Sequence, residues 1–125
     1  MESEQGSIVI LYEGEYIAQL LRQWLQDAGY RVAMAVSGGN FTQDAFQVDF
    51  DLVVIEVRLI GVKDVLRVGK LRSLHPDLPI VLYTTLPSPS LAGYLYMAGI
   101  RQIWNKWASK SEILESVEDL IFPQG

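Results

Sequence analysis

The sequence predicts an α/β domain built on a doubly wound, five-stranded parallel sheet. Two observations carry this. Short β-branched-rich apolar runs alternate with segments of helical period along the chain of 125 residues, and short loops join them. No internal repeat, low-complexity tract or long apolar run interrupts the alternation, so the length is that of one domain.

The first strand is Ser7–Leu11, a run short enough to be buried on both faces. Between Glu15 and Ala28 the apolar residues Ile17, Leu20, Leu21, Trp24, Leu25 and Ala28 recur at helical spacing. Gly29 then ends the helix, since it takes positive φ without a Cβ clash. Tyr30–Val36 reads as a second strand and Phe41–Gln47 as a poorly patterned helix. Leu52–Val57 is apolar except for Glu56, the pattern of a central strand. Asp64–Leu74 follows as a helix with Val65, Val68 and Leu71 inward, stopped by His75-Pro76. Pro79–Tyr83 is the fourth strand, Ser90–Ala98 the fourth helix and Gln102–Asn105 the fifth strand. The last helix is capped by Ser109 or Ser111 and turns Ile113, Leu114, Val117 and Ile121 to one face.

Bulk composition narrows the function. The formal charge of −5 disfavours a nucleic-acid-binding face, which is usually basic. Without cysteine there is neither a disulfide framework nor a thiolate zinc site. The polar, acidic start Met1–Gly6 is unlike a signal peptide, and a cytoplasmic protein is expected. The expected organisation is a disordered N-terminus over 1–6, a domain over 7–121 and a tail or linker start over 122–125.

In open α/β sheets, sites form at the carboxyl ends of the strands. Here those ends carry Glu13, Glu56, Thr84 and Lys106: two carboxylates, a hydroxyl and an ammonium. With these residues in view, the chain resembles the receiver domains of two-component response regulators, from about Ser7 to Leu120. QLLRQWLQDAGYRV is similar to the family's first helix and second strand, and DFDLVVIEV to its third strand. HPDLPIVLYTT is similar to its fourth strand, and MAGIRQIWNKW to the approach to its lysine. The resemblance implies a flavodoxin-like (βα)5 fold, a signalling role and no enzymatic activity.

It also implies site roles. The family's metal-holding acidic pair falls on Tyr12 and Glu13, and its phosphate-accepting aspartate on Glu56. The phosphate-sensing hydroxyl and lysine fall on Thr84 and Lys106, and the aromatic switch on Ile103. Tyr12 thus removes a carboxylate, and Glu56 reaches one methylene too far, so Mg²⁺ binding is expected to be weak or absent. The expected function is an atypical receiver acting as a phosphorylation-independent protein-interaction module. The alternative is an ordinary phosphorylatable receiver in a phosphorelay. A flavin- or nucleotide-binding enzyme is disfavoured, because Tyr12-Glu13-Gly14-Glu15 would repel phosphate. Glu56 either imitates an acyl phosphate in part or closes the pocket as an ion pair with Lys106.

Leu91, Tyr94 and Met97 are apolar where receivers are usually polar, and two arrangements are open. Either they form an exposed patch for a protein partner or homodimer, on the face made by the fourth helix, fifth strand and fifth helix, or the helix turns them inward. An output domain beyond this chain is compatible with both. Trp24 and Trp104 are expected in the core and His75 in a surface loop, while Trp107 either caps the pocket or packs under the last helix.

Overall fold

The computed structural model describes residues 6–36, 49–86 and 89–123. The apolar runs become five parallel strands: β1 (Ser7–Tyr12), β2 (Arg31–Val36), β3 (Leu52–Leu59), β4 (Ile80–Leu86) and β5 (Gln102–Asn105). Their order is β2-β1-β3-β4-β5, the flavodoxin-like doubly wound arrangement with its switch point between β1 and β3. Four helices are described: α1 (Glu15–Asp27), α2 (Val62–Leu74), α3 (Pro89–Ala98) and α4 (Lys110–Ile121). The expected helix Phe41–Gln47 lies outside the described residues, so α3 and α4 are the fourth and fifth helices of the sequence expectation.

Two apolar clusters sandwich the sheet. On one face Ile8, Ile10, Val54 and Val81 pack against Ala18, Leu21 and Leu25 of α1 and Ile113 and Val117 of α4. On the other, Val9, Leu11, Ile55 and Leu82 pack against Val68 and Leu71 of α2 and Leu95 of α3. Central strands covered on both faces need apolar side chains in both directions, which explains the unbroken run in β3.

Element ends depart from the sequence reading in a consistent way. β3 continues to Leu59 and β4 to Leu86, because the backbone ladder pairs Leu59 with Leu86 after the core has ended. α2 begins at Val62, where the Asp64 carboxylate accepts the Gly61 amide at 2.7 Å. Ser109 caps α4: its Oγ accepts from the Glu112 amide, and Glu112 accepts from the Ser109 amide in return. Leu20, at helical spacing in the sequence, is exposed on α1, while Trp24 is half-buried against the core and Trp104 is buried.

Gly6, expected in a disordered start, accepts the Arg31 amide at 2.9 Å, while residues 1–5 and the last two of the expected tail lie outside the described residues. Gly29 and Gly99 both adopt positive φ at helix ends. Beside Gly99, Arg72 joins two loops: its guanidinium donates to the carbonyls of His75, Pro76 and Gly99. Burial holds this guanidinium below its usual pKa, with Arg101 adding to the effect. No helix among the described residues is long and apolar enough to cross a membrane.

Candidate functional site

Strand register builds the site. Glu56 stands beside Tyr83, and Tyr83 beside Trp104, on three adjacent strands, so all three point to the α1/α4 face. Glu56 is 1 % exposed, yet its carboxylate is fully engaged. Oε1 accepts the backbone amides of Glu13 at 2.9 Å and Gly14 at 2.8 Å, in the turn that leads into α1. Oε2 pairs with the Lys106 ammonium, delivered by the turn after β5. The Lys106 amide donates to the Thr84 carbonyl at 3.0 Å, which fixes where the side chain departs.

Buried aromatic rings lie behind the ion pair. The Lys106 ammonium lies 5.9 Å from the centre of the Tyr83 ring, and Tyr83 meets Trp104 edge to face at 6.2 Å. Burial raises the Tyr83 phenol above its ordinary pKa, and the Glu56 charge raises it further. The phenol is therefore held neutral next to the ion pair.

Glu13 ties the front wall together. Its Oε1 accepts the Arg58 amide at 3.1 Å, and its Oε2 lies 3.8 Å from the Lys63 ammonium. Above the Glu56–Lys106 pair is an open cavity of about 700 Å³. Glu13, Glu56, Arg58, Lys63 and Lys106 bring charge to its wall, Thr85 a hydroxyl, and Ile17, Leu59 and Trp107 apolar surface. Trp107 is 70 % exposed at the rim, so of its two expected places it takes the one at the pocket. Among the described residues, no group of three or more His, Asp or Glu side chains could hold a metal ion.

Thr84 is a correction. The sequence reading set its hydroxyl on the pocket rim, but successive strand residues face opposite sides. Thr84 pairs with Val57 and shares that residue's face, where it is fully buried and its Oγ donates to the Arg58 carbonyl at 3.2 Å. The neighbouring Thr85 lines the cavity instead. Tyr12 does not line it either; its half-buried ring packs against the α1/α4 cluster. Ile103 points to the other face, partly buried against the α2/α3 cluster. The site thus unites Glu13, Glu56 and Lys106 and leaves Thr84, Tyr12 and Ile103 outside it.

On α3, Leu95 is completely buried and Leu91 is half-buried, so Tyr94 and Met97 turn outward at 62 % and 85 % exposure. His75 is half-buried at the C-terminal cap of α2, far along the chain from these groups.

The chain is similar to known proteins. The response regulator receiver domain model matches residues 8–118. The transcriptional regulatory protein ZraR of Salmonella typhimurium is 32 % identical over 97 residues, which cover 76 % of this chain and 22 % of ZraR. The uncharacterized transcriptional regulatory protein YkoG of Bacillus subtilis is 29 % identical over 85 residues, covering 68 % of this chain and 37 % of YkoG. This chain therefore spans about a fifth to a third of the length of these relatives. Among solved structures, a CheY-like receiver domain protein from Methanospirillum hungatei JF-1 superposes with a TM-score of 0.82 at 20 % identity, covering 92 % of each chain. CheY4 of Vibrio cholerae gives 0.78 at 23 % identity, covering 91 % of this chain and 97 % of its own. These likenesses bear on the fold.

Proposed function

This chain belongs to the response regulator receiver domain family, and on that premise we propose that it is a phosphorylation-independent receiver, working as a protein-interaction module in two-component regulation. One observation carries the reading: both oxygens of Glu56, at the position the family gives to its phosphoacceptor, are committed to Glu13, Gly14 and Lys106. A nucleophilic carboxylate needs a free oxygen in line with the phosphoryl donor. Glu56 has none.

Mg²⁺ does not fit these residues well. A hard cation needs converging oxygens at short range, whereas two backbone N–H groups and an ammonium converge on Glu56. Glu13 is spent on the Arg58 amide and Lys63, and Tyr12 supplies no carboxylate. The Glu56–Lys106 pair forms the base of the pocket, without the third oxygen and extra charge of a phosphoryl group.

The interaction surface is assigned to the outward side of α3, where Tyr94 and Met97 stand with Tyr96, itself 51 % exposed. The partner is a protein or a second copy of this chain. ZraR and YkoG are named transcriptional regulatory proteins, and the same broad role, with an output domain supplied elsewhere, is proposed for the protein to which this domain belongs. The test is incubation with acetyl phosphate and Mg²⁺, followed by intact-mass measurement and a beryllofluoride titration read by tryptophan fluorescence. An unmodified mass and a flat titration are expected. Mg²⁺-dependent labelling that Glu56→Ala abolishes would overturn the reading.

A further inference from the structure

The cavity above the Glu56–Lys106 pair has features that a phosphorylation-independent interaction module does not use. Its volume, about 700 Å³, is within the range of small-molecule sites, roughly 300–1,000 Å³. Three cations, Arg58, Lys63 and Lys106, face two carboxylates, Glu13 and Glu56, leaving one positive charge in a chain whose net charge is −5. Lys106 is taken by Glu56 and Lys63 is held loosely by Glu13 at 3.8 Å. Among the described residues, no carboxylate pairs with the Arg58 guanidinium.

Register places that guanidinium usefully. Val57 pairs with Thr84 and Leu59 with Leu86, so Arg58 and Thr85 stand side by side, and both line the cavity. A planar cationic fork next to a hydroxyl suits a carboxylate or sulfonate. Ile17, Leu59 and Trp107 add an apolar wall, with Leu59 59 % and Trp107 70 % exposed. Exposed apolar side chains around a net-cationic hollow suit a ligand with an apolar body and one anionic end.

We propose that this cavity binds a small aromatic or apolar organic monoanion, its anionic group on Arg58, Thr85 and Lys63 and its body against Trp107, Leu59 and Ile17. The inference rests on the reading of Glu56–Lys106 as a fixed floor, since a phosphoryl group on residue 56 would fill the same space. Binding there would give a receiver that is not phosphorylated a chemical input at the rim of its sheet.

The test titrates 8-anilinonaphthalene-1-sulfonate into the full chain and follows energy transfer from tryptophan. Its uncharged analogue N-phenyl-1-naphthylamine is titrated in parallel. The sulfonate is expected to saturate at one equivalent, with the neutral probe about tenfold weaker. Arg58→Gln with Lys63→Gln should weaken the sulfonate about tenfold and leave the neutral probe unchanged. Trp107→Phe should weaken both probes, since the bodies of both pack on this indole. Equal affinities for the two probes, an unaltered titration in the double variant, or several equivalents bound would overturn the proposal. Acetyl phosphate labelling of the same preparations separates the two ideas: labelling sinks the phosphorylation-independent reading, whereas an unlabelled chain that fails to discriminate the probes sinks only this one.

Discussion

The backbone amide of Gly14 donates to Glu56 Oε1 at 2.8 Å, across 42 residues of sequence, and so ties the turn after β1 to the end of β3. The same carboxylate holds Lys106 after β5 through its other oxygen. One buried side chain therefore joins three strand ends, and the consequences of breaking that junction can be measured.

Lys106→Met should destabilise the domain by about 3–5 kcal/mol, because Glu56 would remain buried and charged with only two amides for company. Glu56→Gln, which keeps the shape, should recover part of this loss in the double variant. Urea unfolding of the four proteins in the cycle checks it. Additive effects would show that the pair is not coupled.

Restoring phosphate chemistry should require two changes. Glu56→Asp alone withdraws the carboxylate from the β1 turn but leaves Tyr12 in place, so its fluorescence should stay flat on titration with Mg²⁺ and beryllofluoride. Leu11 pairs with Ile55, so position 12 stands beside position 56 although the Tyr12 ring turns away into the core; Tyr12→Asp with Glu56→Asp therefore sets two short carboxylates side by side, and a saturable response is expected. A response from the single variant would show that Tyr12 is irrelevant to metal binding.

Asp64 sets a pH dependence. Burial is the main cause of its raised pKa, opposed by the Gly61 amide and Arg67. A raised folded pKa means that the native state holds its proton longer than the unfolded chain. The contribution is fully present below the unfolded value of 3.8 and is lost as pH rises through the folded one. Asp64→Asn keeps an oxygen for the Gly61 amide and lacks this loss. Its stability relative to the parent should rise steadily across the acid range and then level off, as read from urea midpoints at successive pH values. A constant difference would contradict the assignment.

Gly99→Ala should cost about 1–3 kcal/mol. Its φ of +117° is strained for any side chain, and a Cβ there would lie 2.6 Å from Arg72 Nε. Arg72 would then lose its grip on the Gly99, His75 and Pro76 carbonyls. Thermal unfolding of Gly99→Ala beside Arg72→Ala and the double variant checks this. The double variant should be less destabilised than the sum of the two.

The exposed side of α3 offers a simpler contrast. Met97→Ser should leave stability within about 0.5 kcal/mol, since the side chain is 85 % exposed. The same change should weaken association with a protein partner or second copy, as measured by sedimentation or pull-down with this chain. Unaltered association would move the interface elsewhere.

Much of this protein is determined by its sequence alone. The alternation of apolar runs and helical periods specifies the parallel sheet, because central strands and one-sided helices leave different hydrophobic periods. The order of Glu13, Glu56 and Lys106 along the chain was enough to bring them to one rim, since parallel strands all end at the same edge. Where β3 and β4 end was not legible. Arg58 and Thr85 carry the ladder past the core, and a ladder of backbone bonds leaves no apolar pattern. That extension alone decided which threonine enters the pocket, because one residue of strand reverses the face. The outward turn of Tyr94 and Met97 was likewise settled by packing, once Leu95 took the buried place on α3. Tertiary structure also decided the partners of Glu56: backbone amides look alike in every sequence, and only the fold brings those of Glu13 and Gly14 to this carboxylate.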